Sequence, residues 1–131
     1  MRYMLLIYSR ENESVTPGEM AEVAAAHRAL MEEAGRRGIF RAADPLQPAS
    51  TATTVRVQGR DVLLTDGPFA ETKEQLAGYY ILDCEDLDEA IEWAAKIPTS
   101  CQGAPGYVEI RPIREMSGHS PANADVHAVN G

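Results

Sequence analysis

RYMLLIYS (residues 2–9) and, after a short polar break, TPGEMAEVAAAHRALMEEAGRRG (residues 16–38) read as a strand followed by a long amphipathic helix. From Arg2 to Tyr8 the set Tyr3, Leu5, Ile7 alternates with the set Met4, Leu6, Tyr8. Both sets are apolar, so the strand is expected to be central and covered on both faces. Thr16 supplies a hydroxyl N-cap, Pro17 suits the first helical position, and Glu19 completes a capping box. The helix is expected to run to about Arg37 and to end at Gly38, with Arg36 and Arg37 complementing its carbonyl end. Met20, Val23, Ala24, Leu30, Met31 and Ala34 then fall on one stripe, with Glu22, Glu33 and Arg36 opposite. His27 lies in the middle of that stripe.

Working outward, Ile39 to Leu46 reads as a second strand, broken by Pro45 and Pro48. Ala49 to Thr53 is a connection. Thr54 to Gln58 and Arg60 to Thr65 form a hairpin that turns near Gly59. Asp66-Gly67-Pro68-Phe69 is a turn by composition. Gly78 to Cys84 is a strand rich in aromatic and branched residues. A second helix starts at Asp86, with Leu87, Ala90, Ile91, Ala94 and Ile97 as its expected buried stripe and Pro98 as its stop. Tyr107 to Ile113 reads as a last strand with one wetter face. The order is β, α, β, hairpin, β, α, β, which predicts an α+β fold: a ferredoxin-like βαββαβ sandwich with an inserted β-hairpin. The domain is expected to span 1–116, with 117–131 a polar C-terminal tail that folding does not need.

The bulk composition narrows the function classes. The chain has 131 residues, 44% hydrophobic and 24% charged, which suits one globular domain. A net charge of −8 argues against binding phosphate backbones or anionic lipid. No segment approaches the ~20 apolar residues of a membrane helix, and the N-terminal run lacks the features of a signal peptide. A cytoplasmic location is expected, with Cys84 and Cys101 as reduced thiols. His27, His119 and His127 have no metal-ligand spacing, so neither a metal nor another cofactor is expected. Neither a phosphate loop nor a nucleophile elbow occurs.

The stretch DGPFAETKEQLAGYYILDC (residues 66–84) resembles the signature of the YCII-related family, in the branch named for its Asp-Gly-Pro-Phe motif. The opening MRYMLLIY, the helix carrying His27, the second helix from Asp86 to Ala94 and the ending VEIRPI are similar too. The resemblance implies a ferredoxin-like fold paired into a dimeric α+β barrel, with a cleft between helices and sheet. It also implies a catalytic histidine–aspartate pair, here His27 and Asp66. One family member is a lyase that removes chloride from a hydroxylated aromatic. Members of this branch often lie beside genes for extracytoplasmic-function sigma factors.

Taken singly, His27 reads as a core histidine bonded to a carbonyl, and Asp66 as a turn former. Taken together they suit a general base and the carboxylate that orients it. Tyr8, Arg10, Lys73, Tyr79 and Tyr80 are candidate substrate-binding residues, Lys73 for an anionic group and the tyrosines for their hydroxyls. For Lys73 the reading as part of a solvated charged loop is preferred. Two functions follow. One is a small-molecule enzyme working by proton abstraction, isomerisation or elimination; the other is a ligand-binding or regulatory module linked to a sigma factor. A homodimer through the uncovered sheet face is expected in either case.

Overall fold

The computed structural model describes residues 1–11, 15–70, 72–99 and 106–116. The expected tail, Glu71 and Cys101 lie outside these residues, as do His119 and His127. Strand β1 (Arg2–Ser9) leads to helix α1 (Pro17–Arg36) and strand β2 (Phe40–Pro45). A 3₁₀ turn at Ala49–Thr51 precedes the hairpin strands β3 (Thr53–Gln58) and β4 (Asp61–Asp66). Strand β5 (Gln75–Asp83), helix α2 (Leu87–Ala94) and strand β6 (Gly106–Pro112) complete the order expected from the sequence. The main sheet is antiparallel and runs β2-β5-β1-β6, so β1 is central. The fold is the α+β, ferredoxin-like arrangement.

Local chemistry explains the elements. Thr16 and Glu19 form a reciprocal capping box: the Thr16 Oγ1 accepts from the Glu19 N–H at 3.2 Å, and Glu19 Oε1 accepts from the Thr16 N–H at 3.2 Å. Gly38 leaves α1 with φ +75°, a conformation that glycine adopts without strain. Asp86 caps α2 by accepting from the Glu89 N–H at 2.9 Å. Gly78 lets β2 approach closely, because a Cβ there would stand 2.8 Å from the Asp44 carbonyl oxygen.

The core lies between the sheet and the helices. Tyr3, Leu5 and Ile7 of β1 join Tyr80 and Leu82 of β5, Leu30 and Ala34 of α1, and Ala90 and Trp93 of α2. The α2 stripe differs from expectation. Ala90, Trp93 and Ile97 are buried, while Leu87 and Ile91 are half exposed, since the helix turns its bulkiest ring inward. Val108 and Ile110 pack against the core, leaving Tyr107, Glu109 and Arg111 on the other face. The helix-free face also presents Met4, Leu6 and Ile81, with Tyr8 stacked on Tyr107 at 5.0 Å between centroids. Met4, Leu6 and Ile81 are only half-buried, so cover on both faces of β1 is incomplete within one chain.

The hairpin β3–β4 forms a separate two-stranded sheet. Its base is tied by the Gly67 N–H donating to the Ala52 carbonyl at 2.7 Å and by Thr54 Oγ1 donating to the Gly67 carbonyl at 2.9 Å. Cys84 is buried, and burial followed by the charges of Glu89 and Asp83 pushes its thiol up to about 11, so it stays an inert thiol near neutral pH.

Candidate functional site

Helix α1 buries only the later part of its stripe. Leu30 and Ala34 reach the core, whereas Met20, Val23 and Ala24, nearer its start, overhang a cleft. The opposite wall comes from Ile7, Ala43, Ala77 and Gly78 of the sheet. Ala43, Ala77 and Gly78 are small and leave space that larger side chains would fill. The cleft holds about 600 Å³, within the range of small-molecule sites.

His27 and Tyr80 meet at this cleft. His27 Nδ1 lies 2.8 Å from the Tyr80 hydroxyl, and that hydroxyl also lies 3.5 Å from the His27 carbonyl oxygen. Burial lowers the His27 pKa, so its imidazole is neutral near pH 7. Burial likewise pushes the Tyr80 phenol up to about 12, so it keeps its proton. Among the described residues, no hydrogen bond engages Nε2 of His27.

The sequence-derived candidates separate into two groups. His27, Arg10, Tyr79 and Tyr80 line the cleft. Tyr8, Lys73 and Asp66 do not. Tyr8 faces the helix-free side of the sheet against Tyr107. Lys73 is exposed in the link between β4 and β5. Asp66 ends β4 opposite Thr53, with an exposed side chain, and among the described residues no hydrogen bond or ion pair joins it to His27. The expected His27–Asp66 contact is therefore replaced, within one chain, by His27–Tyr80. The physical reason is that the hairpin forms its own sheet and does not extend the one beneath α1. Phe69 of the same turn is exposed, with the Arg56 guanidinium 5.4 Å from its ring centroid.

Three charged cleft residues, Arg28, Asp44 and Glu11, escaped the sequence reading. Arg28 follows His27 on α1, and Asp44 stands near the end of β2. Asp44 Oδ2 accepts from the Tyr79 hydroxyl at 2.7 Å, and that bond, with burial and the carboxylate charge, raises the Tyr79 pKa. The signal for Asp44 was its place just before Pro45, where a strand ends. Nothing in its spacing distinguished it from Asp66. Among the described residues no three His, Cys, Asp or Glu side chains gather as a metal-binding group. No helix among them is long and apolar enough to cross a membrane.

A ferredoxin-like sandwich with a histidine–tyrosine pair in a helix–sheet cleft defines the class of this protein. The chain belongs to the YCII-related domain family, whose pattern matches residues 1–117. It is similar to an uncharacterized protein of Rhizobium meliloti (strain 1021), 36% identical over 121 residues that cover 86% of this chain and 92% of the relative.

Proposed function

We propose that this chain is a small-molecule acid–base enzyme of the Asp-Gly-Pro-Phe branch, with His27 as its base. The carrying observation is the 2.8 Å contact between His27 Nδ1 and the Tyr80 hydroxyl at the wall of the cleft. In the proposed state Nδ1–H donates to the Tyr80 oxygen, and the phenolic proton turns toward the His27 carbonyl. The Nε2 lone pair then faces no donor among the described residues and takes a proton from a bound molecule. The lowered pKa keeps this base unprotonated at neutral pH, though it also makes it a weaker one. Proton abstraction, isomerisation and elimination all begin with that step. Arg10 and Tyr80 contact the substrate, while the Tyr79–Asp44 pair, on the alternate face of its strands, borders the cleft.

The same proposal includes a homodimer. Val55, Val57, Val62 and Leu64 share one hairpin face and are all exposed, as is usual for surfaces that a second copy covers. Asp66 lies on that face and enters the chemistry only through such a partner. Lys73 and Tyr8 have no part in the cleft of their own chain.

The test is deuterium incorporation and halide release across a panel of carbonyl carbon acids and halogenated hydroxyaromatics. Turnover by the parent should fall about 10²-fold or more in His27→Gln. Equal rates in the two proteins would remove His27 from the chemistry. If no compound turns over, the ligand-binding or regulatory reading, with its sigma-factor link, takes the place of the enzymatic one.

A further inference from the structure

We infer that the cleft takes a small monocarboxylate with a flat apolar body, its anionic end held by Arg10 and Arg28; this rests on the reading of the cleft as the substrate site. The two arginines come from separate elements. Arg10 directly follows β1, and Arg28 sits beside His27 on α1, so both reach the same cleft from different sides. Neither makes a hydrogen bond or ion pair among the described residues. By contrast, Arg2, Arg41 and Arg111 each hold a carboxylate, on Glu115, Asp83 and Glu109. Arg36, Arg37, Arg60 and Arg114 also lack a carboxylate partner among the described residues, but only Arg10 and Arg28 line the cleft, and two guanidinium groups at one cleft suit an external anion.

The remaining lining sets the class of anion. Val23, Ala24 and Met31 face Ile7, Ala43 and Ala77 across the slot, so the body that fills it is apolar. His27 and Tyr80 are both neutral near pH 7 and offer hydrogen bonds but no charge. Glu11 and Asp44 also line the cleft, engaged by the Ala49 N–H at 2.7 Å and the Tyr79 hydroxyl at 2.7 Å. Both donors are neutral, so neither of these carboxylates is paired with a cation. They oppose a dianion such as a phosphate monoester more strongly than a monoanion.

Benzoate and its neutral analogue benzamide serve as probes, with binding read by titration calorimetry and by the His27 ring resonances. The parent should bind benzoate at least about tenfold more tightly than benzamide, with both shifting His27. In Arg10→Gln/Arg28→Gln that preference should vanish while benzamide binding persists, which also shows that the variant is folded. Equal affinities in the parent, a preference that survives in the double variant, or no response of His27 to either probe would each overturn the inference. His27→Gln should still prefer benzoate. Loss of turnover in that variant with the preference intact therefore separates the base from the anion site.

Discussion

In β1 the alternate residues Tyr3, Leu5 and Ile7 disappear beneath two helices, whereas in β3 and β4 the equivalent alternation, Val55, Val57, Val62 and Leu64, stands in solvent. Leu5 is 0% exposed and Leu82 1%, against 67% for Val57 and 68% for Leu64. The strands share the period and an apolar alternate set. What differs is what lies above them: α1 and α2 have stripes that match the main sheet, and no described element covers the hairpin. Strand chemistry decides that a face is apolar, while topology decides whether the chain itself covers that face. A two-stranded ribbon has little stability of its own in water, so such a face calls for cover from elsewhere.

The largest effect should come from the covered region. Leu5→Ala removes a wholly buried side chain at the centre of the sheet and should cost about 2–5 kcal/mol in chemical denaturation. Val57→Ala in the hairpin should stay within roughly 0.5 kcal/mol in dilute monomer, as exposed substitutions do. Comparable losses at the two positions would break the contrast and would mean that the hairpin is packed in solution.

A smaller effect on stability, but a qualitative one on assembly, is expected from charge on the hairpin face. Light scattering of the parent should give twice the 14.3 kDa chain mass. Val57→Asp with Val62→Asp places two like charges at paired positions on the face proposed for the partner. The dimer should then dissociate while each chain remains folded. A parent that is monomeric at micromolar concentration would remove the partner, and with it any role for Asp66 in catalysis.

Much of this architecture was legible because it depends on local signals. Thr16-Pro17-Gly18-Glu19, Gly38 and Asp86 each mark a helix end through backbone chemistry that needs no tertiary context. Tyr79 and Tyr80 alternate faces as their period requires, one reaching Asp44 and the other His27. The site was less legible because it depends on separation between elements. The Met20–Val23–Ala24 part of the α1 stripe looks identical, in sequence, to the buried Leu30–Ala34 part. Only the structure shows the first overhanging space and the second packed. The choice between Asp44 and Asp66 likewise turns on which strand joins the main sheet, a long-range fact. Trp93 displaced Leu87 and Ile91 from the core for a similar reason, since helix rotation is set by what the sheet can accept.

The smallest expected effect is on the titration of His27, and its sign separates two states of one hydrogen bond. If Nδ1–H donates to the Tyr80 oxygen, the bond persists when the ring is protonated and grows stronger with the charge. Tyr80→Phe would then lower the His27 pKa further, by roughly 0.7 unit if the bond strengthens by about 1 kcal/mol on protonation. If instead the phenol donates to Nδ1, protonation must break the bond, and the same substitution would raise the pKa. We expect the fall, read by NMR titration, with nitrogen shifts that place the proton on Nδ1. A rise would assign the proton to Nε2 and leave the proposed base without a lone pair toward the cleft. Stability gives an independent check. Burial holds the folded pKa below the ordinary 6.5, so His27's contribution is complete above about pH 6.5, declines as pH falls toward the folded value, and levels off beneath it. His27→Gln should flatten that part of the stability profile, and a profile unchanged by the substitution would place the imidazole in water.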